Sequence, residues 1–402
     1  MYMIYDMIII GGGPGGLTAG IYGARSKLKT LIIEKGKIGG QAATTEEMEN
    51  YPGFFDGTTG PGVMKKMEEH ALHFGAEIVK DEVKSISLDG YVKKITTRNG
   101  EYQTKTLVIS TGAEPRVLGV KGEGALRGRG VSYCATCDAD FFEELDVVVV
   151  GNGDAAIEEA MYLTKFAEKV TVIVIHEEGV LDATPIIQER AFQNPKIEFV
   201  WNSVLEEIQG DEMVEGVRVK NLKTGDVSEI EVNGVFIFVG TVPKTGFLKD
   251  TIALDEKGYI ITNEYMETSQ DGVYAVGDVR QKFLRQVVTA AADGAIAAVA
   301  VEKYIHEEEM FKDEVIDESK PVAVLFWTPG SQECIDLVSQ MEKHMDQTKV
   351  KLVKIDTYRN MRIKNRYNIK SAPSLLLFEN GEVIKRIEEI DAVINFSRNI
   401  EA

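Results

Sequence analysis

Cysteine is scarce in this sequence, with three among 402 residues. Small secreted domains held together by disulfides carry many more, so a fold of that kind is excluded. Basic residues are fewer than acidic ones: the sequence has 45 Lys and Arg and 64 Asp and Glu, which gives a net charge of −19. Such a surface repels nucleic-acid phosphates and anionic lipids, so neither nucleic acid nor a membrane is an expected partner.

Long hydrophobic runs are missing as well. No apolar run approaches the roughly 20 residues that span a bilayer. The first ten residues contain no basic residue and lead directly into a glycine turn, which is typical of a buried strand and not of a signal peptide. We therefore expect a cytoplasmic protein, and its length suggests two or three domains at about 150 residues each.

Glycine, by contrast, occurs in two similar turns about 140 residues apart. GGGPGG follows the apolar run 7–10, and GNGDAA follows the β-branched run 147–150. Each pattern predicts a strand, a tight turn and a helix N-terminus, which is the start of a βαβ unit. A later strand-like run at 273–276 is expected to belong to the first unit again. We therefore predict two nucleotide-binding domains, with the second inserted in the first.

The first glycine turn carries a complete dinucleotide fingerprint. Gly11, Gly13 and Gly16 stand between a predicted strand and helix, and Glu34 follows Gly13 by 21 residues at the end of the next strand. The glycines allow the backbone to approach a pyrophosphate, to which the helix N-terminus offers partial positive charge. The acid can accept hydrogen bonds from ribose hydroxyls, so the turn is predicted to bind a dinucleotide.

Five stretches, in this order, resemble the low-molecular-weight (bacterial-type) thioredoxin reductases. They are GGGPGGLTAGIYGAR, GGQAATTEEMENYPG, STGAEPR, CATCD and TSQDGVYAVGDVRQKFLRQVVTAAADG, and they span residues 7–300. The resemblance implies a homodimer whose first domain binds FAD. The cofactor-contacting positions that it implies are Gly11, Gly13, Pro14, Gly16, Glu34, Gly40, Gln41, Asn50, Val83, Gly112, Asp278, Arg285, Gln286 and Val287.

Cys134 and Cys137 form a C-x-x-C motif just before the second nucleotide strand, a pattern that indicates dithiol–disulfide exchange in a chain of this type. Exchange requires an acid that protonates the leaving thiolate, and Asp138 is adjacent. The resemblance implies that Cys137 faces the flavin, that Cys134 attacks the external substrate and that Asp138 is the general acid. The alternative, half of a zinc site, lacks a second C-x-x-C motif or a histidine pair, so no metal is expected.

The second glycine turn repeats the fingerprint at Gly151, Gly153 and Ala156. Members of the resembled family that use NADPH carry His-Arg-Arg after the next strand, and the arginines hold the 2′-phosphate. The sequence here is His176-Glu177-Glu178. Two carboxylates repel a phosphate dianion, whereas Glu177 can accept hydrogen bonds from free ribose hydroxyls. NADH is therefore the predicted electron donor and NADPH is disfavoured, while a ferredoxin-driven reaction also fits the missing arginines and stays open.

The last 85 residues or so resemble thioredoxin through FWTPGSQECIDL and YNIKSAPSLLLFENGEV. Pro373 stands where that fold uses a cis proline beside its redox site. The attacking cysteine of the family is replaced by Ser331, its buried acid by Leu325, and only the resolving Cys334 remains. Because serine does not exchange disulfides, this module cannot act as a dithiol carrier. It is either a naturally degenerate docking or regulatory domain, or one in which a cysteine at 331 has been replaced.

The predicted architecture is thus an α/β fold with two Rossmann-like domains and a C-terminal thioredoxin-like domain. The predicted boundaries are 1–115 with 245–305 for the FAD-binding domain, 116–244 for the nucleotide domain that carries the C-x-x-C motif, 306–319 for a linker and 320–402 for the thioredoxin-like domain. The resemblance also implies two alternating orientations of the nucleotide domains, with hinges near 113–130 and 240–247.

The predicted function is transfer of electrons from NADH through FAD and the Cys134–Cys137 pair to a protein disulfide. The acceptor would be thioredoxin, a thioredoxin-like protein or, if residue 331 is naturally cysteine, the fused module. Two alternatives remain: a ferredoxin-dependent form of the same reaction, and a flavin-bound regulatory or docking protein.

Overall fold

The structure is a computed structural model that describes residues 3–44, 48, 50–54, 58–248, 250–345 and 348–399, without the side chains of Cys137 and 397–399. The chain divides into two compact units, Met1–Val301 and Glu302–Ala402. None of the helices in these described ranges is long and apolar enough to cross a membrane.

The first lobe of the larger unit is built on a mostly parallel sheet. Its early strands are β1 (Ile4–Ile10), β2 (Thr30–Glu34), β3 (Glu77–Lys80), β4 (Val83–Ser87), β5 (Lys93–Thr97), β6 (Glu101–Ile109) and the short β7 (Ala113–Pro115), and its early helices are α1 (Pro14–Arg25) and α2 (Gly60–His73). β1 pairs in parallel with β2 and β6. The apolar run before the first glycine turn is therefore a central strand, and most of its residues are buried.

The second lobe follows as one continuous stretch of chain. Its elements are β8 (Val131–Ser132), α3 (Ala135–Asp138), β9 (Asp146–Val150), α4 (Asp154–Leu163), β10 (Lys169–Ile173), α5 (Pro185–Gln193), β11 (Ile197–Val200), β12 (Ser203–Gln209), β13 (Gly216–Asn221), β14 (Val227–Glu231), β15 (Gly234–Ile237) and the short β16 (Thr241–Pro243). A parallel sheet has the order β11-β10-β9-β15-β8, and β12 to β14 form an antiparallel sheet of their own.

The chain then returns to the first lobe. β17 (Val273–Ala275) pairs in parallel with β6, in the sheet ordered β3-β2-β1-β6-β5-β4. The two crossings between the lobes pair with each other, because β7 and β16 form a two-stranded antiparallel ribbon. The predicted insertion of one Rossmann-like fold in another is therefore confirmed.

The smaller unit has the mixed sheet of a thioredoxin-like fold. Its elements, after α6 (Val287–Phe311), are β18 (Val322–Trp327), α7 (Gln332–Met345), β19 (Lys351–Asp356), α8 (Met361–Arg366), β20 (Ser374–Glu379), β21 (Glu382–Ile387) and α9 (Ile390–Asn399). The strand order is β19-β18-β20-β21, with β18 parallel to β19 and antiparallel to β20.

The segment 306–319, predicted as a helix end followed by a solvated linker, is helical over most of its length. α6 continues to Phe311, and a π-helical turn follows at Lys312–Ile316. Phe311 and Val315 are buried in a core cluster of the smaller unit, and this burial stabilises helix in a stretch whose charges alone suggested a solvated linker.

Candidate active site

A cavity of about 1070 Å³ lies between the two lobes of the larger unit. It has the size and concave form of a site for a large cofactor. The predicted residues that line it are Gly11, Gly13, Pro14, Glu34, Gly40, Gln41, Val83, Gly112, Asp278, Arg285, Gln286, Val287, Cys134 and Asp138. The structure thus brings most predicted flavin contacts together with one cysteine of the motif and its neighbouring acid.

The first glycine turn is shaped for close approach of a ligand. A Cβ atom on Gly16 would lie 2.0 Å from the carbonyl oxygen of Gly11, and Gly11 itself has φ +107°, so neither position accepts a side chain without strain. Gly13 is the N-cap of α1 and Pro14 is its first residue. The N-terminus of a 12-residue helix with a glycine turn in the cavity wall is a site for an anionic group.

Glu34 is held rigidly at the end of β2. Its carboxylate accepts hydrogen bonds from the backbone N–H groups of Gly12, at 2.8 Å, and Gly36, at 2.7 Å. Two further predicted residues are joined, since Asn50 Nδ2 donates to Gln286 Oε1 at 3.2 Å. Gln41 donates to the backbone carbonyl of Ala113 at 2.6 Å. Three chain segments that are distant in sequence are therefore fixed at one wall.

Two polar atoms beside the cavity make no hydrogen bond within the described part of the chain. They are Asp278 Oδ1 and Arg285 Nε, both buried. Burial raises the pKa of Asp278, while the neighbouring Lys282 and Arg285 oppose that rise. Buried polar atoms without partners are uncommon, and in the wall of a large cavity they call for a polar ligand. Together with the glycine turn and the fixed Glu34, they fit a dinucleotide such as FAD.

The cysteine motif lies on the second lobe, where Cys134 and Asp138 line the cavity. Cys134 is disulfide-bonded and is the N-cap of the four-residue helix α3. Cys137 belongs to the same helix, but its side chain lies outside the described residues. Asp138 ends the helix and lines the cavity. The acid and Cys134 therefore share one short element.

Ser132, which the sequence analysis did not single out, connects these two residues. Its hydroxyl lies 2.6 Å from Asp138 Oδ2 and in position to donate to it, and its oxygen accepts a hydrogen bond from the Cys134 N–H at 3.1 Å. The side chain is buried at the end of β8. Nothing in a serine two residues before a cysteine signals this contact, because it depends on how α3 folds back towards the strand.

The second glycine turn is tied to the loop that follows β10. The carbonyl of Asn152 accepts hydrogen bonds from the N–H groups of Asp182, at 3.0 Å, and Ala183, at 3.1 Å. The Asp182 carboxylate accepts from the Asn152 side chain at 3.0 Å and lies 3.1 Å from His176 Nε2. Gly151 has φ +138°, and a Cβ there would lie 2.3 Å from the Phe238 carbonyl oxygen. The turn therefore has the tight geometry of the fingerprint.

The loop at 176–184 is acidic. It contains Glu177, Glu178 and Asp182 and neither Lys nor Arg. Glu177 pairs with Lys223 at 3.3 Å, and both side chains are largely exposed. The predicted residues Gly151, Gly153, Ala156 and Glu177 lie outside the cavity lining, which α4 reaches through Asp154 and Glu158. Asp182 is a third carboxylate that the sequence analysis did not consider.

The smaller unit retains the backbone features of a thioredoxin redox site but lacks its pair of cysteines. Ser331 precedes α7, and its hydroxyl oxygen accepts a hydrogen bond from the Cys334 N–H at 3.3 Å. Cys334 is a fully buried free thiol, and Leu325 is fully buried as well. The peptide bond before Pro373 is cis, as predicted. With one cysteine beyond residue 301, this unit has no dithiol.

Comparison with known proteins agrees with this geometry. Residues 5–294 match the family described as pyridine nucleotide-disulphide oxidoreductase, and residues 302–401 match the thioredoxin family. A thioredoxin reductase of Peptoclostridium acidaminophilum is 53% identical over 311 residues, which cover 76% of this chain and 98% of that protein. A bifunctional thioredoxin reductase/thioredoxin of Mycobacterium leprae is 35% identical over 429 residues, covering 96% of this chain and 93% of the relative.

A solved structure extends the similarity to three dimensions. The crystal structure of Lactococcus lactis thioredoxin reductase, described as the FR conformation, has a TM-score of 0.73 and 47% sequence identity, and the match covers 75% of this chain and 99% of that one. The similarity includes the fold and spans both lobes of the larger unit. The chain therefore belongs to the thioredoxin reductase family, as a flavin disulfide oxidoreductase with a thioredoxin-like domain fused at its C-terminal end.

Proposed function

We propose that the protein passes electrons from NADH to FAD, from FAD to the Cys134–Cys137 pair, and from that pair to the disulfide of thioredoxin or of a thioredoxin-like protein. FAD, when bound, supplies the two-electron carrier between nucleotide and disulfide. The fixed carboxylate of Glu34 would accept hydrogen bonds from ribose hydroxyls, and the N-terminus of α1 would face the pyrophosphate. Asp278 and Arg285 would give their unpartnered buried atoms to the cofactor. These two orphaned groups support the assignment of FAD to the cavity.

The exchange step follows from the chemistry of the cysteine pair. In the reduced pair, the Cys134 thiolate attacks one sulfur of the substrate disulfide, forms a mixed disulfide and releases the other substrate sulfur as a thiolate. The Cys137 thiolate then attacks Cys134, which restores the Cys134–Cys137 disulfide and releases the second substrate thiolate. Two electrons leave the protein, and each released thiolate takes up one proton. Asp138, held by Ser132, is placed to deliver a proton at Cys134.

Replacing Ser132 by alanine is expected to lower kcat for thioredoxin reduction about tenfold, because a positioned general acid contributes roughly 100-fold or more and this change removes its orientation only. The rate at which NADH bleaches the flavin should not change, because Ser132 acts on the cysteine pair and not on the nucleotide. Ser132→Thr, which keeps a hydroxyl, is the matched control. Equal losses in both variants would show that the site tolerates no change of volume and would contradict a positioning role.

The acidic loop at 176–184 carries the choice of NADH. The loop carries three carboxylates, of which Asp182 contacts the second glycine turn, and this negative charge opposes a 2′-phosphate dianion. A carboxylate at Glu177 suits free ribose hydroxyls. The test is an anaerobic stopped-flow titration that follows flavin absorbance with NADH, NADPH and reduced ferredoxin in parallel. We expect NADH to exceed NADPH by about a hundredfold in catalytic efficiency, which corresponds to roughly 2.7 kcal/mol. A preference for NADPH would overturn this assignment.

A ferredoxin-driven reaction is the second candidate, favoured by the same absence of arginine in the loop. The retained geometry of the turn at Gly151 supports a nucleotide instead, because a domain freed from pyrophosphate has no need of so close a backbone approach. Bleaching by ferredoxin alone would select this alternative. The third candidate, a purely regulatory flavoprotein, has no use for a disulfide at Cys134. If anaerobic reduction of the flavin yields no new thiols, that result would favour the regulatory role over an enzymatic one.

We propose the FAD-binding domain at 1–115 with 245–305, the inserted nucleotide domain at 116–244, and the homodimer that the family resemblance implies. The fused thioredoxin-like unit is proposed as a docking or regulatory domain, because it has no dithiol of its own. A cytoplasmic location stays a prediction.

A further inference from the structure

A buried carboxylate lies where the chain first crosses from one lobe of the larger unit to the other. Glu123 is 1% exposed. It accepts hydrogen bonds from the backbone N–H groups of Leu118, at 2.9 Å, and Gly119, and from the hydroxyl of Tyr133 at 2.6 Å. Three hydrogen-bond donors therefore satisfy the oxygens of this buried carboxyl group.

Two of these three donors lie on the crossing between the lobes, and the third lies beside the cysteine motif. Leu118 and Gly119 end the crossing that begins with β7. Tyr133 directly precedes Cys134, and both line the cavity. Arg127 lies over the Tyr133 ring at 5.0 Å, and the pKa of Tyr133 is raised to about 12, first by burial and then by its hydrogen bond to Glu123. The phenol therefore stays protonated and donates throughout the physiological range.

The residues around Glu123 are fixed to the second lobe. The Lys121 carbonyl accepts a hydrogen bond from the Ile208 N–H at 2.9 Å, on β12. Gly122 has φ +90°, and a Cβ there would lie 2.0 Å from the Ile208 carbonyl oxygen. This close contact leaves the 119–123 segment no freedom to bend independently of β12.

The crossing before this segment is fixed differently. β7 pairs with β16, and the Arg116 N–H donates to the Gly240 carbonyl at 2.9 Å, which closes the ribbon. Between the ribbon and the segment at 119–123 lie Val117 and Leu118, which are 56% and 36% exposed. Because Glu123 also holds the Leu118 N–H, Val117 alone lies between the two held amides of the outgoing crossing.

We propose that Glu123 is a positioning residue which joins the end of the crossing to the redox site, so that residues 118–134 behave as one body with the second lobe and the outgoing hinge is confined to Val117. This narrows the hinge expected over 113–130. The proposal builds on the reaction proposed above, because only a reaction in which Cys134 must be placed accurately requires such a connection.

The test measures amide hydrogen exchange at Leu118 and Gly119 in Tyr133→Phe and in wild type, both loaded with FAD. Removing the phenol hydroxyl takes away one of the hydrogen bonds that hold the Glu123 carboxylate, which in turn accepts hydrogen bonds from the two amides. The amides of Leu118 and Gly119, 15 and 14 residues before Tyr133, should therefore exchange roughly ten- to a hundredfold faster. Tyr358→Phe, at an exposed tyrosine of the smaller unit, is the matched control and should change nothing. Exchange within twofold of wild type in Tyr133→Phe would overturn the proposal.

A kinetic readout follows in Glu123→Gln, which keeps size and one acceptor oxygen. We expect kcat for thioredoxin reduction to fall about tenfold while KM for the nucleotide stays unchanged, because the cysteine is displaced and the nucleotide turn is not. A change in KM alone would contradict the positioning role. The exchange experiment needs no electron donor. An inactive wild type would therefore refute the proposed function, whereas the role of Glu123 is decided by the exchange rates of the two amides.

Discussion

The Cys134→Ser variant is expected to lose thioredoxin reduction by at least about 1000-fold while its flavin is still bleached by the nucleotide. The hydroxyl of serine is not ionised near neutral pH and cannot attack a disulfide sulfur. The proposed flavin contacts Glu34, Asp278 and Arg285, by contrast, lie on the first lobe, and this substitution changes none of them. Stopped-flow bleaching and steady-state thioredoxin reduction, measured on the same preparation, separate the two steps.

The chain supplies its own control in Cys334, the free and fully buried thiol of the smaller unit. Cys334→Ala should reduce thioredoxin at the wild-type rate, because a thiol without a partner cysteine cannot cycle. Loss of activity in Cys334→Ala comparable with that in Cys134→Ser would mean that the electron path runs through the fused unit. That result would contradict the path proposed above.

The double substitution Glu177→Arg with Glu178→Arg should reverse the choice of nucleotide. Two repulsive carboxylates become two guanidinium groups, which bind phosphate through charge-assisted hydrogen bonds of roughly 1.5–3 kcal/mol each. We expect the ratio of NADPH to NADH efficiency to rise by about 1000-fold. Steady-state kinetics with both nucleotides, at fixed ionic strength, provide the measurement.

A matched control is needed because this change also makes a chain of net charge −19 less negative by four charges. Glu256→Arg with Glu264→Arg makes the same change of charge at two exposed positions of the first lobe. Its nucleotide ratio should stay within twofold of wild type. If both double variants gain NADPH activity equally, the effect belongs to the overall field of the protein, and the acidic loop has no specific role.

The elements of the fold that sequence patterns predicted are those with local signals. The apolar run before Gly11 is β1, and the run before Gly151 is β9, because a buried parallel strand followed by a glycine turn has few other solutions. The cysteine motif likewise indicated the redox site. The segment 306–319, predicted as a helix end followed by a linker, is helical to Ile316, because Phe311 and Val315, four residues apart, are buried in the core of the smaller unit. The many charged residues of this segment gave no signal for that burial.

The residues that the sequence analysis missed have one property in common: tertiary structure brings their hydrogen-bond partners close to them. Ser132 meets Asp138 only after α3 folds back, and Glu123 meets Tyr133 only after the turn at Gly122 packs on β12. Asp182 reaches the second glycine turn through the loop after β10. Each is a polar residue of a common type with no spacing rule attached, so composition and periodicity contain no signal for it.

The ribbon of β7 and β16 bears on how such a molecule could arise. Its pairing keeps the two ends of the second lobe side by side, with the Arg116 N–H 2.9 Å from the Gly240 carbonyl. A segment whose ends are adjacent lengthens a single turn of its host and separates none of the host's strands. Insertion of the entire second lobe at a single turn of a one-lobed fold is therefore geometrically sufficient to give this arrangement, and removal of the lobe would leave two paired strands that a short turn can join.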